Sequence, residues 1–423
     1  MIKLLPHQQK VLNDTMQLNR VAYFLDMGLG KTYVGAEKMD QLDNSLNLLI
    51  CQKSKIKDWS DHISKNYPDY QVFNLTNKKD FDQFIACASL TIYCVGIINY
   101  ELAWRRKELL NLKEFTLMLD ESSLIQNEQA KQTKFILNLK PENVILLSGT
   151  PVSGKYERLW SQCRLLGWNI SHHAYNSTYV NYVLADFGIG YPVRIVDKHN
   201  PYKNVEHLKF NLRIHGAVFM KTEEVLTLPE QIFTTLTVPA PKEYRKFLEA
   251  GITTIDDVEL IGSTALTKRL YARQICSQYN NCKLDALKDL INSSNDRFIV
   301  FYNFNDELDK LKAVAKDRPL SIVNGQIKDL SAYENEENSV TLVQYQAGAL
   351  GLNLQKCNKM IFFSLPERSD LFEQAKKRIH RIGTTNTCFY WILSAENTID
   401  GAIYKALEQK KDFTDELFKE YLK

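Results

Sequence analysis

A lysine closing a glycine-rich turn, a pair of adjacent carboxylates and a late cluster of arginines carry most of the chemistry in this sequence. The turn reads Phe24-Leu25-Asp26-Met27-Gly28-Leu29-Gly30-Lys31-Thr32. It follows an apolar run and precedes a helix-permissive stretch, the context a phosphate-binding loop requires. Its glycines let backbone N–H groups turn toward one anion, and the N-terminus of the next helix adds its positive dipole end. Lys31 is placed to reach the β- and γ-phosphates, and Thr32 to offer its hydroxyl to Mg2+. Met27, Gly28, Leu29 and Gly30 complete the candidate cradle. The strict phosphate-loop pattern wants glycine at position 25, where this chain has leucine.

Phe115-Thr116-Leu117-Met118-Leu119-Asp120-Glu121-Ser122-Ser123 is an apolar run ending in two acids. Open parallel sheets bind ligands at the carboxyl ends of their strands. Asp120 is then placed to hold Mg2+, and Glu121 to orient and deprotonate an attacking water. A solvated turn would carry the same two acids. The earlier phosphate loop, in what reads as the same sheet, favours the catalytic alternative.

Gln374, Arg378 and Arg381 are spaced i, i+4 and i+7. On a continuous helix, at about 100° per residue, they fall within about 60° of one another. Two guanidinium groups and an amide on one stripe can present planar donors to a single anion. A solvated basic face has the same pattern. The second half of the chain has no phosphate loop, so a nucleotide held by the first half would need cationic groups from the second to hydrolyse quickly. An arginine finger is worth roughly 10³–10⁵ in rate for related phosphoryl transfers.

These groups need rigid strands behind them. Apolar runs at Val21–Leu25, Leu46–Cys51, Leu90–Ile98, Phe115–Leu119 and Asn143–Leu147 alternate with helix-permissive segments, as in βαβ units of a parallel sheet. The alternation returns after Lys283, at Arg297–Phe301, Leu320–Val323, Ser339–Val343, Lys359–Phe363 and Cys388–Leu393. Between the two lies a Tyr- and Asn-rich stretch without strand rhythm, with Asp186–Gly190 and His199–Pro201 reading as loops. The expected fold class is α/β: two parallel-sheet lobes, residues 1–160 and 283–423, with a mainly helical insertion at 161–282.

The composition is that of a globular chain: 423 residues, 44% hydrophobic and 24% charged, which as a soft prior gives two or three domains. No window approaches ~18 uninterrupted apolar residues, so no membrane-spanning helix is expected. The N-terminus lacks the apolar core of a secretory signal. None of the eight cysteines forms a C-x-x-C pair, which argues against a zinc site or a disulfide framework and fits a reducing cytoplasm. Net charge is only +3, so any nucleic-acid surface must be local. The middle stretch interleaves Tyr175, Tyr179, Tyr182, Tyr191 and Tyr202 with Arg194, Lys198, Lys203, Lys209, Arg213 and Lys221. Such mixtures can stack bases and grip phosphates, but tyrosines in a helical region more commonly pack.

Three further motifs fix a resemblance: Leu147-Ser148-Gly149-Thr150-Pro151, Ala347-Gly348-Ala349-Leu350-Gly351-Leu352-Asn353-Leu354, and Gln374 through Arg378-Ile379-His380-Arg381-Ile382-Gly383. With the phosphate loop, in this order, they resemble superfamily-two helicases, specifically the Swi/Snf-like branch of DNA-dependent ATPases. The resemblance runs from Leu5-Pro6-His7-Gln8 to Thr398-Ile399-Asp400, and it implies that the two parallel-sheet lobes are RecA-like. It implies that Gln8 reads the adenine edge and that Lys31, Thr32, Asp120 and Glu121 serve nucleotide and Mg2+. Ser148 and Thr150 would link hydrolysis to lobe movement, and Arg378 and Arg381 would face the γ-phosphate. Lys53, Ser54 and Trp59, Asn99, Asn324 with Gly325, and Gly351 with Asn353 match segments that touch nucleic-acid backbone or couple it to ATP. Gln374 joins that coupling set. The chain departs from the branch at Ser123, where a histidine is usual, at Gln344-Tyr345, where small hydroxyl residues are common, and at Thr384, where glutamine follows the glycine.

The resemblance implies an ATP-dependent DNA translocase or helicase using ATP and Mg2+ on double-stranded, forked or branched DNA. A bare monomeric motor of replication, recombination or repair, working beside replication proteins in a bacterial or phage-infected cytoplasm, is the expectation. An RNA helicase and a nucleotide-gated DNA clamp or loader remain the alternatives.

Overall fold

The computed structural model describes residues 3–88, 92–152, 155–186, 191–225, 228–348, 352–381 and 383–418. The chain divides into two compact units, Met1–Val225 with Asp412–Lys423, and Leu226–Lys411.

The first unit is built on β1 (Arg20–Leu25), β2 (Leu46–Cys51), β3 (Gln71–Asn74), β4 (Cys94–Asn99), β5 (Thr116–Asp120) and β6 (Asn143–Leu147), with a small hairpin, β7 (Tyr182–Ala185) and β8 (Val193–Val196), and then β9 (Ala217–Met220). Seven of these form one sheet in the order β3-β4-β2-β5-β6-β1-β9, and every pairing in it is parallel. β1, β5 and β6 are neighbours although far apart in sequence. Their carboxyl ends therefore lie side by side at strand spacings of ~4.8 Å.

The central strands β1, β2, β5 and β6 are largely apolar, as in a parallel sheet covered on both sides. Ala22, Phe24, Leu48, Ile50, Leu117, Leu119, Val144 and Leu146 form one core with Phe84, Phe135 and Ile136. The alternate residues Val21, Tyr23, Leu49, Met118, Ile145 and Leu147 are as deeply buried. Each fully buried aliphatic or aromatic side chain is worth roughly 1.5–3 kcal/mol. The sheet is thus a stiff platform for the loops at its edge.

The second unit holds β10 (Gln231–Val238), a hairpin of β11 (Ile252–Ile255) and β12 (Val258–Ile261), then β13 (Phe298–Tyr302), β14 (Leu320–Val323), β15 (Lys328–Asp329), β16 (Val340–Gln344), β17 (Lys359–Phe362) and β18 (Cys388–Ala395). Its sheet runs β10-β18-β17-β13-β16-β14-β15 and is parallel apart from the short antiparallel β15. Val300, Leu342, Ile361 and Leu393 feed one core. Ile299, Phe301, Val343, Met360, Phe362 and Ile392 feed the other.

The two-sheet α/β class is as expected. The stretch 161–282, expected as a mainly helical insertion, does hold more helix than strand, but it is not a separate helical insertion. It carries β7 to β12, and the boundary between the units falls inside it. β9 adds to the first sheet beside β1, and β10 adds to the second beside β18. Of the segment expected to begin a strand at Leu90, residues 89–91 lie outside the described residues, and β4 starts at Cys94. No helix among the described residues is long and apolar enough to cross a membrane.

Candidate nucleotide site

The phosphate loop joins β1 to the helix Lys31–Gln41. Gly28 and Gly30 have φ of 90° and 77°, in the left-handed region that favours glycine. Gly30, the N-cap of this helix, has no side chain to cap it, so the first turn can offer backbone N–H groups to an anion. The loop is anchored on both flanks. Asp26 N–H donates to Met220 O at 2.9 Å, and Thr222 Oγ1 donates to Asp26 Oδ2 at 3.0 Å. On the other flank Gln8 Nε2 donates to Leu29 O at 3.0 Å, with His7 Nε2 at 3.1 Å from the same oxygen. Gln8 Oε1 accepts from Leu5 N–H at 2.9 Å. A Cβ at position 30 would stand 2.2 Å from Gln8 Nε2, so a side chain there would displace that amide at a backbone angle that already favours glycine. An amide has two N–H donors and two acceptor lone pairs, and these two Gln8 bonds use one of each.

Lys31 Nζ donates to Leu25 O at 2.9 Å and to Asp26 O at 3.3 Å. At the end of β6, next to β1, Thr150 N–H donates to Ser148 Oγ at 3.2 Å, and a Cβ at Gly149 would lie 3.2 Å from Lys31 Nζ. Thr150 Oγ1 is a buried hydroxyl without a hydrogen-bond partner among the described residues. A buried orphan beside the phosphate loop is the kind of group a ligand satisfies.

At the end of β5 the Asp120 carboxyl is pushed above its usual range, chiefly by burial; the Trp59 indole and the charge of Lys31 oppose that push. Trp59 Nε1 donates to Asp120 Oδ2 at 2.8 Å, and Tyr100 Oη donates to Asp120 O at 2.9 Å. Glu121 stands at φ 56°, ψ 57°, a left-handed conformation rarely tolerated outside glycine. Such strain persists where the surroundings over-determine it, commonly at functional sites.

Two glutamines that the sequence reading did not single out tie the acidic turn to the Ser148–Pro151 segment. Ser122 Oγ donates to Gln162 Oε1 at 2.8 Å, Gln162 Nε2 donates to Pro151 O at 2.9 Å, and Gln126 Nε2 donates to the same oxygen at 3.1 Å. With serine at 123, this amide network adds side-chain links between the two motifs to the direct pairing of β5 and β6. A sequence gives no signal for it, because one glutamine among many acquires the role only through folding.

The structure thus gathers Lys31, Thr32, Asp120, Glu121, Ser148 and Thr150 along the ends of three adjacent strands. Lys53 and Ser54 are exposed in a short 3-10 turn after β2. Trp59, expected among the nucleic-acid contacts, is instead 1% exposed and turned onto Asp120. Its large apolar ring belongs in the core, and its N–H must find a partner there. Asn99 is buried at the end of β4, with Nδ2 donating to Glu101 Oε2 at 2.6 Å. Tyr175 and Tyr179 are buried as packing residues, while Tyr191 is exposed.

In the second unit the expected single helical stripe is broken. The helix is Ser369–Lys376, so Gln374 lies on it and Arg378 and Arg381 follow it. Tertiary partners capture the carbonyls that a longer helix would use: Tyr390 Oη donates to Lys376 O at 2.9 Å, and Thr384 Oγ1 to Ile379 O at 2.6 Å. Arg378 is buried, Arg381 is half-buried, and burial lowers the Arg381 pKa. Asn324 Oδ1 accepts from Gln326 and Ile327 N–H at 2.9 and 2.7 Å, which shapes the turn that exposes Gly325. Asn353 is exposed, and Gly351 lies outside the described residues.

A profile of the SNF2-related domain matches residues 7–279, and one of the helicase conserved C-terminal domain matches residues 282–383. The chain is similar to the SWI/SNF-related matrix-associated actin-dependent regulator of chromatin subfamily A-like protein 1 of Drosophila melanogaster, 24% identical over 97% of this chain and 55% of that protein. It is also similar to the DNA annealing helicase and endonuclease ZRANB3 of Bos taurus, 24% identical over 97% of this chain and 40% of the relative. The chain therefore spans about half the length of these relatives. Among solved structures, the Sulfolobus solfataricus SWI2/SNF2 ATPase core in complex with dsDNA aligns at a TM-score of 0.45 and 21% identity, covering 99% of this chain and 94% of that one.

Proposed function

This chain belongs to the SNF2-related family, and from that premise we propose that it couples hydrolysis of Mg-ATP to movement along double-stranded or branched DNA, in replication, recombination or repair. The observation that carries the reading is the meeting of Lys31, Asp120–Glu121 and Ser148–Thr150 at the ends of three neighbouring strands.

In this reading the uncapped helix N-terminus and Lys31 bind the β- and γ-phosphates. Glu121 holds a water in line with the γ-phosphorus and takes its proton as the water oxygen bonds to phosphorus. The bond from the γ-phosphorus to the bridging oxygen breaks, and ADP leaves with that electron pair. Thr150 Oγ1 gains a partner when phosphate arrives.

The residues also fit a magnesium ion. Asp120 and Thr32 are hard oxygen donors, and among the described residues no three His, Cys, Asp or Glu side chains are gathered to cage a metal alone. Mg2+ is commonly bound by one or two carboxylates together with substrate phosphates and waters. Bound there, it would neutralise phosphate charge.

Arg378 and Arg381 are assigned to the transition-state charge, and Lys53, Ser54, Asn324 and Asn353 to the nucleic-acid backbone. A third strand annealed as a triplex on a duplex tests the movement. ATP should strip it off, while a non-hydrolysable analogue should leave it in place. Retention of the third strand under rapid ATP turnover would refute movement, and retention with tight DNA binding and little turnover would favour a clamp or loader.

A further inference from the structure

Asp120 is held from two sides by residues whose segments the family resemblance assigns to nucleic acid. Strands β4, β2 and β5 are consecutive in the sheet. The chain leaving β2 forms the Lys53–Lys55 turn, exposed at Lys53 and Ser54, and then the helix Ile56–Asn66, which carries Trp59. The chain leaving β4 carries Tyr100. Both side chains are 1% exposed, and both reach across to the end of β5. The indole N–H binds the Asp120 carboxylate at 2.8 Å, and the phenol binds its backbone carbonyl at 2.9 Å.

The chemistry of the pair is directional. An indole has one donor and no acceptor, so Trp59 can serve only an acceptor. Its ring has two side-chain torsions, and both are fixed by burial. The contact therefore sets the plane of the Asp120 carboxylate, with one lone pair of Oδ2 occupied and the remaining lone pairs left for other partners. Phenylalanine would fill nearly the same space without doing this.

We infer that Trp59 is a positioning residue for the metal-binding carboxylate of Asp120, through which the exposed Lys53–Ser54 turn is mechanically joined to the nucleotide site. The inference rests on the proposed reading of Asp120 as the Mg2+ ligand. Partners of metal ligands that bind no metal themselves commonly alter metal affinity by about 10–100-fold when removed.

The test is equilibrium binding of a fluorescent ADP, with Mg2+ and with EDTA, to the full chain. Wild type should bind more tightly with Mg2+. In Trp59→Phe that gain should fall by about tenfold, with affinity in EDTA within about twofold of wild type. Asp120→Asn should lose the gain, and adding Trp59→Phe to it should change nothing more, because the two side chains act as one unit. An undiminished gain in Trp59→Phe, or equal losses with and without Mg2+, would overturn the inference. If wild type itself gains nothing from Mg2+, it is the underlying reading of Asp120 that fails. Should Trp59→Phe not fold, fluorotryptophan-labelled wild type keeps the question open to test. One indole resonance should shift on adding Mg2+ and ADP and not on adding ADP with EDTA, and Asp120→Asn should abolish that shift; five unmoved resonances would refute the link.

Discussion

Gly149 and Lys31 meet so closely that a single added carbon would stand 3.2 Å from the Lys31 ammonium. The two residues lie 118 positions apart in sequence and come together because β6 and β1 are paired strands. The absence of a side chain at 149 is thus part of how the phosphate-loop lysine is seated.

Gly149→Ala follows directly. Gly149 is not among the positive-φ glycines, and the atoms nearest the new methyl belong to the flexible side chains of Lys31 and Met27. The protein should fold, with the lysine displaced. ATP affinity should fall by about tenfold, consistent with the roughly 1.5–3 kcal/mol of a hydrogen bond to a charged group. Titration of a labelled nucleotide alongside a thermal melt checks it.

Arg381→Ala should separate rate from binding. If its guanidinium meets charge that develops only in the transition state, kcat falls by about 10³ while the Kd for ATP moves little. Rapid-quench turnover together with equilibrium binding makes the comparison; equal losses would assign Arg381 to ground-state nucleotide.

Gln162→Leu should weaken both stability and coupling. The substitution leaves the fully buried Ser122 hydroxyl without its acceptor, while Gln126 still serves Pro151. An orphaned buried donor costs about 1–3 kcal/mol, visible as a lower Tm. The ratio of DNA-stimulated to basal ATPase should fall as well, because the bridge between the acidic turn and Ser148–Pro151 is cut.

Glu307→Gln should change how stability responds to pH. The buried Glu307 carboxyl is pushed above its usual range by burial, against hydrogen bonds from Phe304 and Asn303 N–H. An acid raised in the folded state binds more protons folded than unfolded above the unfolded value of about 4.3. Stability from this group is therefore greatest below that value and is lost as pH rises toward the folded value. Glutamine keeps an acceptor for the donors on Glu307 Oε2, namely Asn303 N–H, Phe304 N–H and Ser364 Oγ. Urea melts across this pH range should show a shallower decline in the variant.

The central strands were readable because they are buried on both faces. Leu46–Cys51 and Asn143–Leu147 stand out as mostly apolar runs, and the structure places fully buried strands at those same residues. Edge strands were not readable. β10, Gln231–Val238, is largely exposed and mixes threonine with apolar residues, so nothing in its composition separates it from the surrounding loops. The phosphate loop and the acidic pair announced themselves because their chemistry is local in sequence. Trp59 did not, since its partner lies 61 residues away on another strand. The helix through Gln374 was read too long because a period of 3.6 continues past Lys376, whereas side chains from β18 and the following turn take up its carbonyls.

The most direct measurement is phosphate release at fixed salt with no nucleic acid, duplex DNA, forked DNA, single-stranded DNA and RNA, beside a Lys31→Ala control. The account predicts strong stimulation by duplex or forked DNA and no turnover in the control. Stimulation by RNA alone, tight DNA binding without turnover, or wild-type rates from Lys31→Ala would contradict it.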